Sequence, residues 1–210
     1  MKDLILNKIA KNHYIIYCKV DYNKETELFS LLQNNASDLT KLDKIKNNKR
    51  RLEWMTIRGL LIQHFKMPID IVYDSQNKPH LNKTNFQISI SHSKEMVAIS
   101  LLENHDNGID IQHIDPKIKR IRNKYLKPQE ADLIEENDYE TSTIYWSIKE
   151  ALFKVYGKND IFLKENIEVI KFNRTEMSAV GAIKNGEFYK KLDLSISLVN
   201  DYVLAYTVNH

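Results

Sequence analysis

Glu150 and Lys154 lie four residues apart in the run Trp146-Ser147-Ile148-Lys149-Glu150-Ala151-Leu152-Phe153-Lys154. At about 100° per residue, Ile148, Leu152 and Val155 share one apolar stripe, and Trp146, Glu150 and Lys154 stand a turn apart on roughly the opposite side. Two chemistries are open to such a face. An exposed i,i+4 ion pair is worth only about 0.2–0.5 kcal/mol. In a cleft, the carboxylate can instead bind a metal ion and the ammonium a phosphate. Some forty residues upstream, Gly108-Ile109-Asp110-Ile111-Gln112 offers a second acid in a strand. Asp110 is either a turn or edge residue or a ligand. Two carboxylates from separate elements, completed by waters and phosphate oxygens, make a typical Mg²⁺ site. His92, between Ser91 and Ser93, is the most suggestive histidine. It either caps a turn or, with hydroxyls and backbone N–H groups, helps to cradle an anion. His13, His64, His80, His105, His113 and His210 show no metal-ligand spacing, and the chain has no P-loop, GxGxxG, HExxH or GxSxG motif.

These residues need a scaffold, and 210 residues are enough for one large domain or two small ones. Hydrophobic content of 42% with 28% charged residues is that of an ordinary soluble globular protein. No apolar run reaches the roughly 18–20 residues that span a bilayer, and Met1-Lys2-Asp3-Leu4-Ile5-Leu6 lacks a signal-peptide pattern. A single cysteine, Cys18, cannot form an internal disulfide, so a reducing cytoplasm and a buried strand position are expected. A net charge of +3 is too small to imply nucleic-acid binding. Locally, Lys41, Lys44, Lys46, Lys49, Arg50, Arg51 and Arg58 face only Asp43 and Glu53. Such a patch suits a phosphorylated small molecule or an acidic protein, or is a solvated helix face.

Strands are expected at 14–19, 86–90 and 96–102, the latter two forming a hairpin that turns at Ser91–Glu95. A short helix is expected at 25–32, and a long helical pattern over 39–65 breaks near Asn47-Asn48. Glu103–Asn107 is a polar connector and divides the chain into residues 1–103 and 104–210. The second part is expected to hold a strand at 108–112, a basic helix or loop at 116–125, a helix start at Lys127-Pro128, and a long helix from Thr141 to Gly157. Strands follow at 166–172, 179–183, 187–189, 192–198 and 202–208, with a hairpin turn at Asn185-Gly186. Each part is then a helix with antiparallel strands, an α+β chain.

Gly108-Ile109-Asp110 followed by Trp146-Ser147-x-Lys149-Glu150-Ala151-x-x-Lys154 resembles the signature of the 4′-phosphopantetheinyl transferases. Length and layout resemble the Sfp-type branch, whose members are monomeric pseudo-dimers of two similar halves, each an antiparallel sheet on a long helix. Arg50-Arg51 with Trp54 and Arg58, Lys78-Pro79 with Phe86 and Ile90-Ser91-His92-Ser93, and Tyr125-Leu126-x-x-x-Glu130 match further segments in order. The resemblance implies transfer of 4′-phosphopantetheine from coenzyme A to a serine of an apo acyl or peptidyl carrier protein. Adenosine 3′,5′-bisphosphate is released. It implies a Mg²⁺ or Mn²⁺ ion on Asp110 and Glu150, with Gln112 where some members carry a second acid. Lys154, His92 and Ser91 would meet phosphates, Lys149 can touch one, and Arg51 and Arg58 (with Arg50 the weaker candidate) would hold the 3′-phosphoadenosine end. Glu130 or Glu150 would take the serine proton. Lys117–Lys124 is a candidate surface for the carrier. The alternative is a degenerate protein that binds coenzyme A or a carrier without transfer. Neither nucleic acid nor a membrane is expected as a partner.

Overall fold

The computed structural model describes residues 5–33 and 35–208; His210 and the first four residues lie outside them. In chain order the first elements are β1 (Ile5–Ala10), β2 (His13–Lys19), α1 (Glu25–Leu32), α2 (Ala36–Leu42) and α3 (Asn48–Phe65). Then come β3 (Ile71–Tyr73), β4 (Pro79–Leu81), β5 (Phe86–Ser93) and β6 (Met96–Glu103). After the connector run β7 (Ile109–His113), a 3₁₀ turn (Pro116–Ile121), α4 (Arg122–Tyr125), α5 (Pro128–Ala131), α6 (Tyr139–Tyr156) and α7 (Leu163–Asn166). The chain closes with β8 (Ile167–Asn173), β9 (Ser178–Asn185), β10 (Phe188–Val199) and β11 (Tyr202–Val208).

The strands form a four-stranded sheet in the order β1-β2-β6-β5, a five-stranded sheet β7-β11-β10-β9-β8, and the small pair β3-β4. All pairings are antiparallel. Strand alternation explains the layers. In β2, Ile16 and Cys18 face a core that includes Leu52, Met55 and Leu60 of α3. Their neighbours Ile15 and Tyr17 face the other way, onto Ile109, Ile111, Leu204 and Tyr206 of the second sheet. The five-stranded sheet buries its remaining face under α6 through Ile144, Ile148, Leu152 and Val155, the stripe expected from the sequence. Asp138 caps α6 by accepting from the Thr141 N–H at 2.8 Å, and Gly157 ends it in the left-handed region at φ 72°.

Several elements depart from expectation. Ser91-His92-Ser93 is strand rather than turn, because β5 stays paired with β6 as far as Ser93↔Met96 and the chain reverses at Lys94. The two short strands expected at 187–189 and 192–198 are one, β10. β1, β3 and β4 carried too few apolar residues in alternation to be seen. Cys18 is buried in β2, as expected.

Gly108 sits where β7 passes closest to α6. A Cβ there would lie 2.1 Å from the Ala151 carbonyl oxygen and 2.8 Å from Val155 Cγ2. Backbone cannot yield as a side-chain tip can. Gly108→Ala is therefore expected to destabilise the fold by about 3 kcal/mol, read from the midpoint of urea unfolding; an unchanged midpoint would show that β7 and α6 are not in this contact.

Candidate active site

The edge strand β7 turns three N–H groups away from its partner β11, and serines of β5 meet them. Ile109, Ile111 and His113 N–H donate to Ser89, Ser91 and Ser93 Oγ, each at 3.1 Å. The middle serine does more. The Ser91 hydroxyl donates to Asp110 Oδ1 at 2.8 Å. The same oxygen accepts from Lys154 Nζ at 2.9 Å, and that ammonium also donates to the Ile109 carbonyl at 2.8 Å. Asp110 is thus held by Ser91 from the other sheet and by Lys154 from α6. Its Oδ2 is buried and has no hydrogen-bond partner among the described residues.

Glu150 lies one turn before Lys154. Burial first, and then the nearby Asp110 charge, push its carboxyl up to about 7, against the opposing pull of Lys154. Two like charges that resist joint ionisation, one with an unpartnered buried oxygen, suit a divalent cation. Gln112, two residues along the strand from Asp110, is half-buried on the same face. Among the described residues no three His, Cys, Asp or Glu side chains gather as a metal site. Asp110 and Glu150 are two carboxylates from separate elements, an arrangement that could take a divalent ion only with water or other oxygens completing it.

Beside Lys154 a cavity of about 300 Å³ is lined by Arg50, Glu53, Trp54, Tyr73, His92 and Lys154. It runs into a second of about 240 Å³ lined by Lys78, Ser89, Phe153, Lys154 and Gly157, the two sharing Asn77, Pro79 and Ile90. His92 Nδ1 is 3.5 Å from Glu53 Oε2, a buried carboxylate that orients the ring. Trp54 is marked in the sequence only by the segment it shares with Arg50, Arg51 and Arg58, and Glu53 and Tyr73 carry no signal beyond their types.

The arginines of α3 divide by helix face. Arg50 lines the cleft. Arg51 turns to Glu25 at 3.2 Å and the Leu42 carbonyl at 3.0 Å. Arg58 is buried, pairs with Asp38 at 3.0 Å, and stacks its guanidinium carbon 3.2 Å from the centre of the Trp54 ring. It supports the cleft wall from behind.

Glu130 and Lys149 are also internal. Lys149 is 0% exposed; its Nζ donates to Glu130 Oε2 and the Tyr125 carbonyl at 2.6 Å each, and to Ile167 O at 2.9 Å. Glu130 accepts in addition from the Lys127 and Val169 N–H groups at 2.8 and 2.9 Å. This pair ties α5, α6 and the start of β8 together. Neither group opens onto the cleft lined by Lys154.

Residues 107–207, just under half of the chain, match the model of the 4′-phosphopantetheinyl transferase superfamily. That span carries Asp110, Glu150 and Lys154. No curated protein matches the chain.

Two outcomes follow from the charges. Removing the buried ammonium in Lys149→Met strands the Glu130 carboxylate and is expected to cost about 3–5 kcal/mol. Adding Glu130→Gln should recover part of that loss in chemical denaturation, and no recovery would mean that the pair does not interact. For Glu150 the sign is opposite. Unfolded, it gives up its proton near 4.5; folded, near 7. The folded state binds more protons between these values, so its stability falls as pH rises through the window. Without metal, Glu150→Gln should be more stable than wild type at about pH 8, by at most about 3 kcal/mol, and equal to it near pH 4. A difference independent of pH would contradict the raised value.

Proposed function

We propose that the chain is a 4′-phosphopantetheinyl transferase that moves phosphopantetheine from coenzyme A to a carrier-protein serine. The observation that carries this reading is Asp110 with a free buried oxygen beside the high-pKa Glu150, both next to Lys154 at a basic, aromatic cleft. The match over residues 107–207 supports it.

Asp110 Oδ2 and Glu150 would hold Mg²⁺ or Mn²⁺, with the Gln112 amide or a water beside them; the ion would neutralise pyrophosphate charge. The chain's own residues account for the rest. Arg50 and His92 bind phosphate of the nucleotide end, and Trp54 and Tyr73 offer ring faces to the base. Glu53 keeps His92 turned to the cleft. Lys154 stands ready to neutralise the leaving phosphate. Glu150 takes the serine proton, directly or through water. The serine oxygen bonds to the phosphorus bearing pantetheine, the bridging P–O bond breaks, and adenosine 3′,5′-bisphosphate departs with the electron pair. Glu130 and Lys149 position α6 rather than react. Arg58 supports Trp54, and Arg51 anchors α1. Ser91 holds Asp110 in place of contacting phosphate. Residues 1–103 and 104–210 form the two halves of a pseudo-dimer that acts as a cytoplasmic monomer.

Turnover is followed by release of adenosine 3′,5′-bisphosphate with an apo carrier as acceptor. Asp110→Ala and Glu150→Ala should each lower kcat at least about 100-fold. Arg50→Ala should raise KM for coenzyme A about tenfold, a loss of about 1.4 kcal/mol, while Arg51→Ala leaves it unchanged. Wild-type turnover by Asp110→Ala under limiting Mg²⁺ would overturn the metal assignment.

A further inference from the structure

The two sheets share a buried layer that includes Tyr17, Met96, Ile111 and Tyr206. Tyr17 and Met96 of this layer also line a cavity of about 490 Å³, which shares no residue with the clefts beside Lys154. Two hairpin turns contribute to it: Lys94 and Glu95 between β5 and β6, and Asn200 and Asp201 between β10 and β11. Each turn is tied to the chain leaving a neighbouring strand. Val20 N–H donates to the Glu95 carbonyl at 2.7 Å, and Ile114 N–H donates to the Asp201 carbonyl at 2.8 Å. His113 lines the cavity from the face of β7 opposite to Asp110. The cavity therefore stands across the sheet from the candidate active site, and its volume is in the range of small-molecule pockets.

Its polar lining carries both signs of charge, and part of it is uncommitted. Lys94 Nζ lies 3.3 Å from His113 Nε2 and 3.7 Å from Asp115 Oδ2. These contacts hold the ammonium at the cavity and leave it a donor to spare. The Asp201 carboxylate has no polar partner among the described residues. Lys19 and Glu95 neutralise each other at 2.8 Å. Tyr17 is only 7% exposed, and its hydroxyl makes no hydrogen bond among the described residues. Met96, Val199 and the Tyr202 ring supply apolar surface. An anion bound there alone would face Asp201, and a cation alone would face Lys94. A ligand that carries both charges on an apolar body satisfies each group.

We propose that this cavity binds a free α-amino acid with an apolar side chain. Lys94 and the Tyr17 hydroxyl donate to its carboxylate, Asp201 accepts from its ammonium, and its side chain lies against Met96, Val199 and Tyr202. Such a ligand joins the hairpin turn of one sheet to that of the other. His113 also belongs to the serine seam, where its N–H donates to Ser93 Oγ. The bound amino acid therefore steadies the seam at the end away from Asp110. The site stands independently of the transferase reading.

The test is calorimetry of the whole chain with L-phenylalanine and L-leucine, beside 3-phenylpropionate and phenethylamine, which each lack one of the two charges. The expected result is a Kd of about 1 mM or tighter for at least one of the amino acids, with both single-charge compounds at least about tenfold weaker. Lys94 and Asp201 are exposed turn residues, so Lys94→Gln and Asp201→Asn should keep their ligand-free thermal midpoints within about 2 °C of wild type. Each should weaken the amino acid at least about fivefold. In wild type the bound amino acid should also slow hydrogen exchange of the His113 N–H. Absence of binding by both amino acids up to about 10 mM, ten times the expected Kd, overturns the proposal. Equal affinity for the amino acid and the single-charge compounds overturns it too, as does unchanged affinity in both variants.

Discussion

Three serine hydroxyls accept three N–H groups of an edge strand, and the arrangement of the site depends on that seam. A buried N–H without a partner costs about 1–3 kcal/mol. β7 would carry three such groups where the two sheets approach. Ser89, Ser91 and Ser93 recur every second residue, so they share one face of β5 and match the spacing of Ile109, Ile111 and His113. The register that satisfies the N–H groups also brings the Ser91 hydroxyl to Asp110. Joining the sheets and aiming the Asp110 carboxylate are therefore one event. Gly108 contributes the other condition, close approach of β7 to α6, which brings Lys154 within reach of the same oxygen.

The charges on α6 show how burial separates roles that spacing alone does not. Lys149 and Lys154 both belong to the signature run. Lys149 points inward, where backbone carbonyls and Glu130 replace the water it has lost. Lys154 remains partly open and bridges Asp110 to the cleft. Glu150, between them in sequence, is pushed up to about 7 by its burial and then by the nearby Asp110 charge, against the pull of Lys154. The site is short of positive charge, and a divalent ion or a proton is what would complete it.

Much of this was legible in the sequence where a single periodicity governs. α6 buries one stripe under a sheet, so its apolar face and glycine end could be read, while its start lies two residues before the expected Thr141, at Tyr139. α3 is buried on most of its circumference, including Glu53 and Arg58. No stripe therefore distinguishes Arg50, which faces the cleft, from Arg51 and Arg58, which do not. Ser91-His92-Ser93 reads as a turn because short polar residues favour turns; here their hydroxyls serve a tertiary contact with β7 that no local pattern encodes. The Glu130–Lys149 pair joins residues 19 apart across a bend, and only the folded chain reveals that both are internal. β1 is exposed at every residue and offers no alternation to detect.

The central claim is that this chain transfers phosphopantetheine. The most direct measurement is the intact mass of an apo acyl carrier protein after incubation with coenzyme A, Mg²⁺ and the protein. The account predicts a gain of one phosphopantetheinyl group on serine, lost when the metal is chelated or Glu150 is replaced by alanine. An unchanged carrier mass across several apo carriers, from protein that is folded, would contradict it.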